Sequence, residues 1–582
     1  MKLNLADTML TANGAQVKGG ALALAYDAHV HARNMVFAAN TARDWGGAVH
    51  LLKNAMLVLD DAVVQGNIAK WGGGVYAQGE ACMNLSSSVL AHNTAEYGGA
   101  VCISGWSKML LEHIQVLESS ATQGGVFYLE ESAQAGIDDS MFVRNLVHPS
   151  KTAMATLGGF LLATGNTATV ITKTTIEGHV SQPGVVGGAI YIDRNASLSL
   201  SSCTLSHFHA PSTGGGIVMH HNSSVYAYNT TMTNISSADV GGALYMGATC
   251  SGCSVAWVGS RFVNTSATYG GAMWIGNGVV ALKDVTILNS QADNNGGALL
   301  VANGAHVAMT HCSVQGCRSI SGNGGGMMAV DTSQVNMAKC RFLNCSAKFD
   351  GAAAAAFGAA SLHLQSCLFE QNFAGGRGGG VSVGGVVHLV ANDCRLLGNR
   401  CSSWGGGLDC RGNASVKLRS CLISKNEAEL SGGGIYVVDQ AIVTMLQTKV
   451  VGNTARYRGG GVALQSPNFV VEQLKAAVHE NRAGMAGHDV YAVPTTLVIT
   501  NSSSVERFVS RLNSDDGLVN ATLRVIGAQG LPSEGVGIVA MLNGVALATT
   551  KSGAHGLTRL FVKLRQPPGM SSLHANRQPV VH

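Results

Sequence analysis

Apolar and polar residues alternate along most of this chain in runs too short to be helices. Gly188-Ala189-Ile190-Tyr191-Ile192 is one such run, Ser197-Leu198-Ser199-Leu200 a second and Gly434-Ile435-Tyr436-Val437 a third. A period of two marks strands, and no helical period competes with it. The runs recur in a fixed order. A Gly-Gly-apolar corner opens each unit and leads into an alternating run, a polar turn and a second alternating run. A Cys/Thr-x-apolar segment and an Asn-x-Ala segment then lead to the next glycines.

The second glycine of the corner falls at Gly20, Gly47, Gly74, Gly99, Gly125, Gly159, Gly188, Gly216, Gly242, Gly271, Gly297 and Gly326. A degenerate copy at Gly351-Ala352 precedes Gly380, Gly407, Gly434 and Gly461, and a worn copy ends at Gly487. Seventeen intervals span 467 residues, 27.5 residues each. Helical repeats of about 33–34 residues do not fit this period. Strands of four or five residues cannot bury a face alone. Coiling sets each about 4.8 Å above its counterpart and joins the inward faces into one core. The expectation is an all-β chain: a right-handed parallel β-helix of about 17–18 coils of ~27 residues, with three sheets, over residues 1–493.

Three columns of the repeat predict structure rather than chemistry. Paired glycines fit a corner where φ turns positive. Asn40, Asn67, Asn93, Asn372, Asn426, Asn453 and Asn481 occupy Asn-x-Ala, where stacked amides can bond coils above and below. Cys312, Cys340, Cys367, Cys394 and Cys421 recur once per coil, with Val314, Phe342, Phe369, Leu396 and Ile423 two positions later, so both columns should point inward. Cys317 and Cys345 replace the corner Asn. Cys250-x-x-Cys253 has no second pair at zinc-finger spacing, so buried thiols with one or two disulfides are expected rather than zinc.

Composition supports a repetitive β body. Glycine is 75 of 582 residues and charged residues are 12 %, about half the usual share. A net charge of +4 without a Lys/Arg stripe argues against nucleic acid as a partner. No stretch approaches 18 apolar residues, so no membrane-spanning segment is expected. The opening MKLNLADTML carries no signal-peptide pattern. With the repeat under way by residue 20, Met1 reads as an internal start.

The Gly-Gly-Ala-Ile/Leu corner combined with Phe-x-x-Asn resembles the repeats of polymorphic outer membrane proteins, adhesins of the autotransporter type. Phe37-Ala-Ala-Asn40, Phe142-Val-Arg-Asn145 and Phe369-Glu-Gln-Asn372 match the second motif, and Ile423-Ser-Lys-Asn426 is a variant of it. The resemblance covers some 470 residues and implies a surface-exposed β-helical passenger with the pectin-lyase-like fold. No translocating barrel follows. Residues 494–582 instead lose the glycine punctuation. Leu523–Ile526, Ile538–Leu542, Val545–Ala548 and Leu557–Leu564 read as antiparallel strands, with Asn543-Gly544 as a hairpin signal. This segment is similar to an immunoglobulin-like sandwich, but supplies about five strands where seven are needed, so an incomplete module is expected.

β-Helices also host polysaccharide lyases and hydrolases, which need clustered carboxylates on one sheet. The best acidic group is Glu130, Glu131, Asp138, Asp139 and Arg144, in the longest interval; a solvated loop is the simpler explanation. The regular coils from Gly380 to Gly461 show no acidic cluster. Gly375 to Gly380 has a phosphate-loop-like run but sits on a repeat corner. His29/His31, His207/His209 and His220/His221 fall in different coils. Tyr76, Tyr191, Tyr245, Trp274 and Tyr436, at the second position after the glycines, are expected to be exposed, either for stacking on sugars or for packing between coils. Sequons at Asn84, Asn195, Asn222, Asn229, Asn234, Asn264, Asn344, Asn413, Asn501 and Asn520 favour a secreted glycoprotein. The expectation is a secreted or cell-surface scaffold, adhesin-like, outer-membrane-associated if bacterial, with extracellular glycans or surface proteins as partners. No catalytic, cofactor-binding or metal residue is assigned. The alternative is a divergent pectin-lyase-fold polysaccharide lyase or glycoside hydrolase.

Overall fold

The computed structural model describes residues 2–148, 156–178, 185–186, 188–465, 469–471 and 477–492, and beyond them five strands of the C-terminal segment. The chain divides into two compact units, Met1–Ala347 and Lys348–His582. Every named element is a strand.

In the first unit one coil reads as follows. The glycine corner leads into a strand such as Val49–Leu52 (sheet 1), then Met56–Asp60 (sheet 2), Val63–Gln65 (sheet 3) and a two-residue strand such as Thr41–Ala42 (ladder 4). Each pairs in parallel with its equivalent one coil away: Val49 with Val75, Met56 with Cys82 and Val63 with Val89. The second unit repeats this with Val381–Val383, His388–Asn392, Arg395–Leu397 and Arg400–Cys401. Over both units, strands of the second and third kinds number 18 each. The coil therefore has a fourth, short ladder beyond the three expected sheets. A two-residue strand carries too little alternation to register in sequence.

Alternation decides what is buried. Leu57 and Leu59 point inward from Met56–Asp60, and Phe37 and Val64 from sheet 3. In the second unit Phe369, Leu396 and Ile423 do the same, one above another.

The paired glycines are needed for two different reasons. Gly46 has φ +65°, the left-handed region a Cβ disfavours. Gly47 does not; a Cβ there would overlap the carbonyl oxygen of Gly73 on the next coil. In triplets such as Gly72-Gly73-Gly74 the positive φ is at the first glycine, Gly72, one residue earlier than counting the last pair suggests.

The asparagine column forms the expected ladder. Asn40 Nδ2 donates to Asn67 Oδ1 at 3.0 Å and Asn67 Nδ2 to Asn93 Oδ1 at 2.9 Å. Asn372, Asn399, Asn426, Asn453 and Asn481 repeat this in the second unit. Each amide also donates to the preceding coil, as Asn426 Nδ2 does to Leu396 O at 2.9 Å. Left unmade indoors, such a bond costs about 1–3 kcal/mol. The thiol of Cys345 takes over this donor role toward Val314 O at 3.7 Å. The ladder meets Asp489 at one end: its Oδ1 accepts from Asn481 N at 2.9 Å and Nδ2 at 3.0 Å.

Cys250 and Cys253 are joined in a disulfide, with Cα atoms 4.8 Å apart. The column cysteines are buried thiols. After the last sheet-1 strand, Val490–Ala492, pairing becomes antiparallel. Pro494–Ile499 pairs with Gly517–Gly527, which pairs with Leu557–Leu564, and Gly537–Leu542 pairs with Val545–Lys551. The Asn543-Gly544 turn and the sequons at Asn501 and Asn520 lie outside the described residues or their side chains.

Candidate functional site

On sheet 1 the middle residue of each strand points away from the core, yet many of these residues are covered. The chain before each glycine corner folds over that face. It contributes a second column: Trp45, Trp71, Tyr97 and Gln123 are bridged coil to coil. Beside it runs the outward column His50, Tyr76, Cys102 and Tyr128, also in register. The two columns form an outer layer of rings in the first unit.

Trp71 stacks on Tyr97 with centroids 3.9 Å apart, and Tyr128 meets Tyr97 edge-on at 5.3 Å. His50 stacks on Tyr76 at 5.6 Å, and Lys18 Nζ lies 4.9 Å from the Trp45 ring. Offset and edge-on pairs of this kind add about 0.5–1.5 kcal/mol beyond burial. His50 is only 3 % exposed, and its Nε2 has no hydrogen-bond partner. Burial, then the nearby Lys18 charge, pushes its pKa down to about 4, so the ring is neutral at pH 7. Tyr128 OH donates to Glu130 Oε2 at 3.4 Å. Burial, then Glu131, raises the Glu130 carboxyl.

Further along the first unit, Tyr245 stacks on Trp274 at 5.1 Å, and Tyr191 lies 5.4 Å from His220. His221 Nδ1 and Asp193 Oδ1 are 2.7 Å apart, and His220 Nδ1 is 2.9 Å from Thr249 Oγ1.

The same two columns carry different chemistry in the second unit. Arg377 lies over the Trp404 ring at 4.4 Å, Arg411 over Phe357 at 5.1 Å, and Arg458 over Tyr491 at 5.0 Å. Asp350 anchors the group. Its Oδ2 takes Arg411 Nη2 at 2.5 Å and its Oδ1 accepts from Arg377 N at 2.8 Å. Asp409 stands in the outward column between Ser382 and Tyr436. It is fully buried. Ser382 Oγ donates to Oδ2 at 3.0 Å, while Oδ1 has no partner. Burial raises its pKa to about 7 against the opposing pull of Arg411 and Arg377. Next to it, Trp404, Tyr436, Tyr457, Arg458, Met485 and Tyr491 line a cavity of about 260 Å³.

Several expectations change. The five residues of the longest interval are not one group. Glu130 and Glu131 adjoin the rings after sheet 1, Asp139 pairs with His113 at 3.3 Å between sheets 2 and 3, and Arg144 pairs with Glu118 at 3.1 Å beyond sheet 3. Asp138 accepts from Thr172 on the next coil. Tyr76 and Tyr436 are buried rather than exposed, because the pre-glycine column covers them; Tyr191, Tyr245 and Trp274 are half-buried. Within the regular coils one carboxylate, Asp409, is buried near Arg377 and Arg411, and Asp350, which precedes those coils, pairs with Arg411. Asp350 and Asp409 sit at different points of the coil, so the 27-residue spacing does not relate them. The legible signal was Gly405-Gly-Gly-Leu-Asp409, an acid where neighbouring coils carry Ala, Tyr or Ser. Among the described residues no group of three or more His, Cys, Asp or Glu is placed to hold a metal ion.

No curated protein and no solved structure matches this chain. Residues 247–386 match the family model described as right handed beta helix region, in agreement with the parallel coils seen in both units.

Proposed function

We propose that the protein is a secreted or cell-surface β-helical scaffold that binds glycans along the outward face of sheet 1. The observation that carries this reading is the outer layer of rings. Trp71, Tyr97 and Trp404 are only half-buried, so part of each ring is open to solvent beside its partner. Flat rings stack on the apolar faces of sugars. The adhesin-like repeat motifs favour a surface location. So do the exposed sequons: Asn195, Asn222, Asn229, Asn234, Asn264, Asn344 and Asn413 all lie on exposed turns.

Titration of the purified protein against neutral and acidic oligosaccharides tests this reading. Trp71→Ala and Trp404→Ala should each weaken binding about tenfold, which corresponds to ~1.4 kcal/mol. Binding that neither change affects would sink it. The second reading, a polysaccharide lyase or hydrolase, rests on Asp350, Asp409 and Arg411 being neighbours. Depolymerisation of a polysaccharide, abolished by Asp409→Asn, would replace the scaffold reading.

A further inference from the structure

The cysteine column supplies buried nucleophiles that glycan binding leaves without a role. In the second unit Cys367, Cys394 and Cys421 hold the same position on three successive coils. The residues after them, Leu368, Arg395 and Leu422, are register partners. Arg395 N donates to Cys367 O at 2.8 Å and Leu422 N to Cys394 O at 2.9 Å, so the backbones stack without a shift. Stacked strands lie about 4.8 Å apart, inside the roughly 4.4–6.8 Å of Cα separation that a disulfide spans. The three side chains are buried on one inward column, and each thiol donates to a backbone carbonyl, Cys367 to Gln365 O at 3.5 Å, Cys394 to Asn392 O at 3.2 Å and Cys421 to Ala391 O at 3.3 Å. On the far side of Cys421 the next coil presents Thr448, whose Oγ1 accepts from Cys421 N at 3.2 Å.

A sulfur flanked by two others can form only one disulfide at a time. The third sulfur then stands on the adjoining coil of the same column. Exchange proceeds by attack of a thiolate on a disulfide sulfur, and three cysteines in register on successive coils place an attacking thiol beside either bond.

We propose that Cys394 is the shared partner of two alternative inter-coil disulfides, Cys367–Cys394 and Cys394–Cys421, which interconvert by thiol–disulfide exchange along the column. The first bond forms as the coils assemble in an oxidising compartment. Two thiols yield two electrons and two protons, and one molecule of glutathione disulfide is reduced to two of glutathione. In the exchange step the Cys421 thiolate attacks Cys394 Sγ. The Cys394–Cys421 bond forms, the Cys367–Cys394 bond breaks, and Cys367 leaves as a thiolate that takes up the proton Cys421 released. The hydrogen bond to Cys394 holds the Cys421 thiol below the ordinary range, while hydrogen bonds to Cys367 and Cys421 push Cys394 upward.

The test folds the full chain in a glutathione redox pair, quenches with acid, alkylates in denaturant and maps the peptides without reduction. Trypsin places the three cysteines in separate peptides, cut after Arg377, Arg395 and Arg419. Both linked pairs are expected in the unsubstituted protein. Cys421→Ser should leave only Cys367–Cys394, Cys367→Ser only Cys394–Cys421, and Cys394→Ser should return Cys421 as an alkylated thiol. Recovery of Cys394 wholly alkylated, or of a single unchanging linkage in the unsubstituted chain, overturns the proposal. The unsubstituted protein alone decides the matter if a variant does not fold.

Discussion

The outward face of sheet 1 is built twice on the same scaffold with opposite electrostatics. In the first unit it is a layer of rings over a buried base, His50. In the second it is a set of guanidinium–ring pairs over a buried acid, Asp409. Burial favours the neutral form of each, so it lowers the one and raises the other. The same fold and the same desolvation therefore give two patches whose stabilities depend on pH with opposite sign.

The largest effect should come from Asp409. The folded chain holds its proton up to about pH 7, whereas the unfolded chain releases it near 3.8. Below 3.8 both states are protonated and nothing is lost. Between the two values the folded state binds more protons, so stability falls as pH rises, and above 7 the loss is complete. Asp409→Asn should remove this slope and stabilise the surrounding coils at pH 8 by on the order of 3 kcal/mol. Hydrogen exchange of peptides spanning residues 404–416 at pH 5 and pH 8 measures it; equal protection at both pH values in the unsubstituted chain would show the acid to be ordinary.

His50 should act in reverse with a smaller amplitude. The unfolded chain takes a proton below 6.5 and the folded chain only below about 4. Stability present above 6.5 is therefore lost as pH falls through that window. His50→Gln should make exchange around residues 45–55 insensitive to pH between 4 and 6.5, a gain on the order of 2 kcal/mol at the acid end.

Third comes the bridge beneath the arginines. Asp350→Asn removes the carboxylate that holds Arg411, and because Asp350 also raises Asp409, the Asp409 midpoint should move down. The cost should be about 1–3 kcal/mol, since a half-buried charge loses its partner. An upward shift of the midpoint would mean that the freed Arg411 swings away from Asp409 instead.

The smallest effect belongs to the rings. A double-mutant cycle on Trp71→Ala and Tyr97→Ala should return a coupling of about 0.5–1.5 kcal/mol. Zero coupling would indicate that the stacked geometry contributes no more than its area.

Most of the scaffold was legible because it repeats. A residue such as Asn426 or Cys394 announces its role by recurring every 27 residues, and its neighbours in space are its equivalents in sequence. The glycine corner was read correctly in kind, but which glycine carries the positive φ was not legible, since identical residues hide it. The candidate site was far less legible. Asp350 and Arg411 meet across 61 residues and occupy different positions in the coil, so no periodic search connects them. The burial of Tyr76 was equally hidden. Alternation says which way a side chain points from its own sheet, but not that the pre-glycine segment folds over it.

The meeting of Asn481 with Asp489 gives the amide ladder a terminus as well as a direction. Each Asn presents an acceptor to the coil before it and requires one from the coil after it. The carboxylate oxygen of Asp489 accepts from Asn481 and passes no amide donor on, so Asp489 closes the series. Because the closing residue bonds only Asn481 and, through its carbonyl, Val462, a whole coil inserted or deleted further upstream leaves it undisturbed. The stack can thus change length by 27-residue steps without redesigning its end, much as beads are added to a string already knotted.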